Sequence, residues 1–444
     1  MKKYFILSAA VLMGALTITS CSSKDDDNNQ QTTTDFNIIM TQPEVDQDNY
    51  PLNTTPANYS NTQFGEDAIE SCADLVTNLQ GANMAIAVSR LTEQQETYLR
   101  EVLKNLVSNV IVPTYTQLAD ETEKLENTLN GLTVSTITQS QINSACEDFK
   151  EARKYWERSE AFLMGAASDF DIDPTIDSWP LNRSLLLNYF NNGMNAEMLA
   201  DATILGFHAL EFILFRDGQP RKVAEFQTYD TYKNFEKITG AQELKYAQTI
   251  CNLLKERTFQ LQVAWEGEKN AARAKVVKDA GLDYTTVNGL NYGDNLVNAG
   301  IKDSKSTFST LKDAITQVLA ANEGSCVGIA NEVGTAKITN PFATGDISYV
   351  ESPYSYNSIA DFRDNIRSIR NVWLGSTDKT ANRYSFHTFF ASVETDDLNV
   401  NEAVESTYVS AIEDISNMPA PFVKYCSTIW KIDFEDDEDW DVED

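Results

Sequence analysis

The sequence predicts an all-α fold made of two helical bundles. Apolar residues recur at three- and four-residue spacing through most of the 444-residue chain, which is the period of helices that bury one face. Capping boxes precede several of these stripes, whereas the sustained alternation of apolar and polar residues that marks strands is scarce. Because a chain of this length exceeds one comfortable hydrophobic core, we expect two bundles rather than one.

The N-terminus has the pattern of a lipoprotein signal peptide, residues 1–20. Lys2 and Lys3 supply positive charge, and the apolar run at residues 5–18 is too short for a permanent membrane span. Cys21 follows Ile18-Thr19-Ser20, which resembles a loose lipobox, so we expect Cys21 to carry the lipid. The acidic residues that follow argue against retention in the inner membrane. This pattern predicts an extracytoplasmic lipoprotein of the outer membrane, with the periplasmic face and the cell surface both open.

Composition predicts the character of the segments at both ends of the chain and the kinds of partner that the protein has. Residues 21–62 are rich in Asn, Gln, Thr, Asp and Pro, which predicts a flexible polar linker. Residues 433–444 form an acidic tail, for which a solvated segment and weak cation capture are the two interpretations. The chain has 35 basic and 66 acidic residues, which argues against nucleic acid as a partner and favours attraction of cations.

The first bundle, residues 63–222, is predicted from four segments. Thr92-x-x-Gln95 and Thr138-x-x-Gln141 read as capping boxes, and each precedes an apolar stripe. Pro113 should interrupt the first of these helices. A loop should follow at residues 169–182. A helical segment at residues 185–215, interrupted near Asn191-Asn192-Gly193, should end at Asp217-Gly218-Gln219-Pro220.

The second bundle, residues 223–432, follows a boundary near residues 221–230. We expect Ser358-x-x-Asp361 to cap one of its helices and Gly375 to end it. The predicted helices of this half are residues 241–265, 304–322, 358–374, 401–418 and 421–430.

The most informative stretch lies in the first bundle, at Gly206-Phe207-His208-Ala209-Leu210-Glu211. It places an imidazole and a carboxylate three positions apart in an apolar segment, and residues i and i+3 share a helix face. The chain has only 2 histidines, and His387 matches no motif, so a surface or core role is expected for it. His208 and Glu211 can either pair in the core or supply two metal ligands, and spacing alone leaves both interpretations open.

Further motifs, in order along the chain, resemble the imelysin-like family. They are Val112-Pro113-Thr114-Tyr115, Trp156 to Gly165, Asp173 to Asn182, Gly206-x-His208-x-x-Glu211, and Val350 to Ser355 followed by Asp361-Phe362. That family includes proteins called insulin-cleaving membrane proteases and iron-regulated proteins. The resemblance implies two bundle-like halves packed side by side, with the motif helix facing a functional cleft between them.

The resemblance also implies a candidate site. Its metal ligands would be His208 and Glu211, with Glu160 and Asp177 added because both lie inside family-like motifs. Gly206 is expected to let another backbone come close, and Arg183 is expected to pair with Glu160 or Asp177. Further binding or supporting residues would be Trp156, Trp179, Pro180 and Ser355.

Two functions from different classes follow. The favoured one is a lipoprotein that binds a metal ion, iron or zinc with iron preferred, or a metal-containing ligand, alongside iron-uptake components. The alternative is a metallopeptidase that uses the same His/Glu site, although no His-Glu-x-x-His motif is present.

Of the 6 cysteines, those outside the lipobox lack the Cys-x-x-Cys spacing of a zinc site, so disulfides or buried core thiols are expected.

Overall fold

The computed structural model describes residues 36–43, 46, 50–54, 61–344, 347–393 and 399–426. Helix makes up 66% of the structure, and only two short strands occur in the described part, so the all-α prediction is confirmed. The predicted signal peptide, Cys21 and the acidic tail lie outside the described residues. Within those residues, no helix combines the length and apolar character needed to cross a membrane.

The helices of the first half of the chain flank one hairpin. The helices are α1 (Asn61–Val88), α2 (Glu93–Leu106), α3 (Val112–Asn130), α4 (Gln139–Glu157), α5 (Ala166–Asp169), α6 (Ile172–Ile176), α7 (Arg183–Asn191), α8 (Gly206–Leu214) and α9 (Val223–Gln227). Strands β1 (Phe215–Arg216) and β2 (Gln219–Pro220) pair antiparallel, so the predicted stop after the motif helix is a tight hairpin.

The second half begins with a long helix and continues with shorter ones. These are α10 (Gly240–Glu266), α11 (Ala271–Asp279), α12 (Tyr292–Val297), α13 (Leu311–Ala320), α14 (Cys326–Glu332), α15 (Asn340–Thr344), α16 (Ser358–Leu374), α17 (Phe386–Val393), α18 (Val400–Asn417) and α19 (Phe422–Tyr425). Two π-helical turns, Val107–Ile111 and Val333–Thr339, extend α2 and α14.

Local signals in the sequence explain where several helices begin and end. Both predicted capping boxes are present, at Thr92 before α2 and at Thr138 before α4. Pro113 cannot donate a backbone hydrogen bond, and the π-helical turn lies immediately before it. The predicted loop at residues 169–182 instead contains α6, which tolerates Pro174 because the proline lies in its first turn.

The long helices pack across the predicted boundary between the bundles. Helix α1 packs along α18 and against α13 and α14, while α10 packs along α3 and against α8. At the boundary itself, Arg221 is buried, and its guanidinium lies 2.9 Å from Glu243 Oε1 and 3.0 Å from Glu225 Oε2. The division into residues 63–222 and 223–432 therefore stays a prediction.

The described part of the predicted linker lies against the helices. The Ile39 amide donates to Ser392 Oγ over 2.8 Å, and the Asn53 carbonyl accepts from the Ala420 amide over 2.9 Å. Asp46 is buried and forms ion pairs with Arg367 and Arg370. A few specific pairs thus hold the described residues of this segment, and the flexible linker over residues 21–62 stays a prediction.

Candidate functional site

The motif helix α8 begins at a position that requires glycine. Gly206 has φ +71°, in the left-handed region, and a Cβ atom there would overlap the carbonyl group of Ile176. The start of α8 therefore lies directly against the end of α6, and Asp177 is the residue that follows α6. The predicted close approach at Gly206 is present, and it places His208 next to Asp177.

His208 lies between two carboxylates. Its side chain is buried, with Nε2 3.1 Å from Asp177 Oδ1 and Nδ1 3.7 Å from Glu211 Oε2. Neither Nε2 nor Glu211 Oε2 has a partner with hydrogen-bond geometry in the described part of the chain. The Trp179 ring lies over the imidazole, with centroids 4.6 Å apart. Burial opposes protonation of His208, but Asp177 and Glu211 outweigh it and raise the pKa of the imidazole.

Glu211 is held by the turn that precedes α16. Its Oε1 accepts hydrogen bonds from the amide of Tyr354 over 3.1 Å, the amide of Ser355 over 2.7 Å and the hydroxyl of Ser355 over 2.6 Å. The other oxygen is left facing His208. Ser355 thus belongs to the site as the sequence predicts, and Glu211 is oriented toward the imidazole by residues far away in the chain.

Asp177 has both oxygens engaged. Oδ1 pairs with Arg153 Nη1 as well as facing His208, and Oδ2 accepts from the indole N–H of Trp156 over 2.6 Å. Burial acts to raise the pKa of Asp177, but Arg153 and His208 outweigh it and hold that pKa well below its ordinary value. Trp156 therefore fixes the carboxylate as well as packing in the core.

The arginine that the structure places beside Asp177 is Arg153, whereas the sequence predicts Arg183 as a partner. Arg183 donates to the Tyr232 hydroxyl, and its guanidinium lies over the Tyr232 ring, 5.6 Å from the centroid. Arg153 stands on α4 three positions before Trp156 and shares its helix face, which points at Asp177. The Arg153 side chain also contacts Glu351 through Nη2, and its Nε lies 2.6 Å from Glu157 Oε1.

A buried lysine completes the charged cluster. Lys337 lies on the π-helical turn Val333–Thr339, and its Nζ is 3.1 Å from Glu351 Oε2 and 4.0 Å from Glu157 Oε2. Burial would lower the pKa of this ammonium group, but the surrounding carboxylates raise it well above the ordinary value. Arg153 and Lys337 are therefore permanent positive charges among the acids of the site.

Several acids of the site have pKa values above the ordinary range of a carboxyl group. Burial raises the pKa of Glu160 well above the ordinary value, with Lys337 opposing the shift, and raises that of Asp173 to about 7. Burial likewise raises the pKa of Asp361 to about 7, against the effect of Arg153. These shifts arise because the site buries more carboxyl groups than its cations neutralise.

Two sets of side chains have ligand atoms close enough together to hold a metal ion. The ligand atoms of Asp177, His208 and Glu351 lie within 4.8 Å of one another, and so do those of Glu157, Glu160 and Asp177. A tetrahedral ion with bonds of about 2.1 Å needs ligands roughly 3.5 Å apart, so small side-chain movements suffice. Asp177 thus joins the predicted ligand His208 in one set and the predicted ligand Glu160 in the other, while Glu211 lies in neither set among the described residues.

A cavity of about 1210 Å³ opens beside these sets. Its wall is formed by residues from both sides of the predicted domain boundary, and Glu160, Asp177, Trp179 and Glu351 are among them. The acidic side chains that line it are Glu160, Asp169, Asp171, Asp173, Asp177, Glu323, Glu332 and Glu351. His208 lies behind Asp177 rather than on the wall itself.

The second histidine is a core residue, in line with the expectation for it. His387 is buried, with Nδ1 facing Glu405 and Nε2 2.8 Å from the Thr41 hydroxyl. The five described cysteines are buried free thiols, so the core interpretation applies to them rather than the disulfide one.

Sequence reasoning missed Arg153, Glu157, Lys337 and Glu351. Arg153 and Glu157 did carry a signal, because an oppositely charged pair at i and i+4 lies on the buried face of a predicted helix. Glu351 lies inside a motif that had been noticed for Ser355. Lys337 had no signal, since its position depends on a π-helical turn.

The fold and the site define a class of protein: a helical bundle with a buried His–carboxylate centre beside an acidic cavity. The family model for imelysin, designated peptidase M75, matches residues 111–435. The chain therefore belongs to the imelysin family, as the resemblance implied.

Two relatives share much of the chain. Iron-regulated protein A of Synechococcus elongatus is 24% identical over 294 residues, which cover 66% of this chain and 69% of that protein. A crystal structure from Parabacteroides distasonis, provisionally assigned as an iron-regulated protein A precursor, is 23% identical at a TM-score of 0.56. It covers 74% of this chain and 96% of that one, and the likeness shows the fold.

Proposed function

We propose that this chain is an extracytoplasmic binding protein for a metal ion or a metal-containing ligand, with iron as the first candidate. The observation that carries the proposal is the set formed by Asp177, His208 and Glu351, whose ligand atoms lie within 4.8 Å of one another. One imidazole and two carboxylates suit iron or zinc. The name of the Synechococcus relative, iron-regulated protein A, supports iron over zinc.

The residues present fit a bound cation chemically. His208 Nε2 is buried without a hydrogen-bond partner in the described residues, and it faces Asp177. Arg153 keeps Asp177 ionised and thus ready to bind. Ser355 holds Glu211, and Glu211 faces the far side of the imidazole, which is the place of a supporting carboxylate behind a metal-binding histidine. Metal binding should release protons, because the ligands must be deprotonated.

The proposal is tested by thermal shift with the metal-stripped protein. Ferrous, ferric and zinc salts should each be titrated against the native protein, His208→Ala and Asp177→Asn. We expect saturable stabilisation of the native protein and its loss in both variants. His387→Ala is the matched control, because it removes the other buried histidine of a His–Glu pair; it should keep the metal-induced shift even if its melting temperature falls. Absence of any shift in the native protein would refute the proposal.

A metallopeptidase using the same site is the second candidate. Glu160 favours it, because a buried carboxylate beside the metal set has the position of a general base for an attacking water. The family designation as a peptidase also supports it. Cleavage of an unfolded protein such as casein, lost in Glu160→Gln but with metal binding retained, would establish this function.

The setting of the protein is also part of the proposal. The lipobox-like sequence before Cys21 supports a lipid anchor in the outer membrane. A tethered metal-binding protein of this kind would pass its cargo to iron-uptake components of the same membrane.

A further inference from the structure

The cavity beside the metal set is much larger than a metal ion needs. Its volume is about 1210 Å³, whereas pockets for drug-sized ligands span about 300 to 1,000 Å³. An ion and its remaining waters would leave most of this space filled only by solvent. The size therefore indicates an organic ligand of several rings or an equivalent length of chain.

The charged side chains of the cavity wall favour a ligand with a positive charge. Eight carboxyl side chains line the cavity, and Lys337 is the one basic residue among the described lining residues. The Lys337 ammonium is already paired with Glu351. An anionic ligand would meet repulsion on nearly every side, whereas a cation would relieve the excess of negative charge.

Glu160 marks the place where the positive group would lie. Its side chain is 6% exposed, and it lines the cavity. Within the described segments, its carboxylate has no hydrogen-bond or ion-pair partner. A carboxylate that is mostly buried and lines the cavity is placed to attract the positive group of a ligand.

The cavity lining also offers aromatic and apolar surface. Trp265 and Tyr292 lie side by side, with ring centroids 6.1 Å apart, and both line the cavity with Phe308. Tyr349 and Val287, 49% and 95% exposed, also line it and lie where it meets solvent. Aromatic faces attract cations and pack against flat apolar groups.

From these observations we infer that the cavity binds an organic cation, with its positive group at Glu160 and its apolar body against Trp265, Tyr292 and Phe308. The inference deepens the proposed function and rests on it for the role of this cavity, but it does not depend on the His208 set. Two kinds of ligand would carry this positive charge. One is a protonated or quaternary amine, and the other is a metal held in a neutral organic chelator.

Fluorescence titration with two xanthene dyes of opposite charge tests the inference. Pyronin Y is a cationic xanthene and fluorescein an anionic one, and both should be titrated against the metal-stripped protein. We expect saturable binding of pyronin Y at least about tenfold tighter than that of fluorescein. Glu160→Gln should weaken pyronin Y binding about tenfold, the effect of losing one attraction between opposite charges in a mostly buried site.

Two controls make the result specific. Glu101→Gln removes the same charge at an exposed position, where Glu101 pairs with Lys104, and should leave pyronin Y binding unchanged. Tyr349→Ala should weaken it by about two- to fivefold, as expected for one exposed cation–aromatic contact.

Tris(bipyridine)iron(II), a cationic chelate, should compete with pyronin Y if the charge can come from a metal, and spermine should compete if an amine suffices.

The outcomes separate the inference from the proposed function. Equal affinity for the two dyes, no saturable pyronin Y binding, or full affinity in Glu160→Gln would each overturn the organic-cation inference. If metal ions stabilise the native protein through His208 while pyronin Y fails to bind, the proposed function stands alone. If pyronin Y binds through Glu160 while no metal ion stabilises the protein, the cavity has its ligand class but the metal proposal fails.

Discussion

Replacing Gly206 by alanine should damage both stability and the site, and the size of the loss follows from the structure. Gly206 has φ +71°, and a side chain in the left-handed region costs about 1 to 2 kcal/mol. The new Cβ would also overlap the Ile176 carbonyl group, and forcing extra atoms into a packed region costs about 1 to 3 kcal/mol. We therefore expect Gly206→Ala to lower the free energy of unfolding by about 2 to 5 kcal/mol.

Gly193→Ala separates the two contributions. Gly193 has φ +78°, nearly the same conformation, but a Cβ there would meet nothing within 4 Å. Its replacement should therefore show only the backbone cost, reduced by the smaller entropy of the unfolded alanine chain. Urea denaturation followed by circular dichroism gives both losses, and their difference of about 1 to 3 kcal/mol reports the contact with Ile176.

The same substitution should impair metal binding. Relief of the overlap moves the start of α8 away from α6, which separates His208 from Asp177. In metal titrations under conditions where both variants are folded, Gly206→Ala should bind more weakly and Gly193→Ala should bind as the native protein does. Equal destabilisation of the two variants, or unchanged metal affinity in Gly206→Ala, would refute the role assigned to this close approach.

Four further predictions concern the buried charges, the imidazole and the anchor. Arg153→Met should cost about 3 to 5 kcal/mol in urea denaturation, because it removes the arginine from buried Asp177 and leaves Glu351 with Lys337 alone. Arg183→Met should cost less. The pKa of Asp361 is about 7 in the folded protein, so folding favours its protonated form. The stability that Asp361 contributes is therefore complete in acid and is lost as pH rises through about 7. The free energy of unfolding should fall between about pH 5 and about pH 8, and this fall should be smaller in Asp361→Asn. Glu211→Gln and Ser355→Ala should each weaken metal binding by about 10- to 100-fold in calorimetric titrations, because they orient His208 from behind; unchanged affinities would make that contact structural only. Cys21→Ser should release the protein from the membrane fraction, and a variant that stays membrane-bound without lipid would contradict lipidation there.

The helices that the sequence predicts well are those whose signals are local. The stripe after Thr138 and its capping box produce α4, and the predicted helix at residues 241–265 is observed as Gly240–Glu266. The predicted cap of α16 is off by one residue: Asn357 is the N-cap, and Asp361 accepts a hydrogen bond from its side chain. The helix predicted at residues 304–322 is shorter, Leu311–Ala320, because Thr310 forms the capping box with Asp313.

The candidate site was predictable only in part, because its charges are arranged by tertiary packing. The spacing of His208 and Glu211 indicated one shared helix face, and Nδ1 of His208 indeed faces Glu211. Arg153 rather than Arg183 lies beside Asp177 because of which helix faces that carboxylate, and sequence spacing cannot reveal this. Lys337 reaches the cluster from a π-helical turn far along the chain, and no local pattern marks it.

The most direct test of the metal proposal is anomalous diffraction from crystals grown with ferrous iron and measured at the iron absorption edge. We expect one strong peak within about 2.3 Å of His208 Nε2 and of a carboxylate oxygen of Asp177 or Glu351. Crystals of His208→Ala should show no such peak. A peak at surface carboxylates only, or a native site without iron and with Arg153 still paired to Asp177, would contradict it.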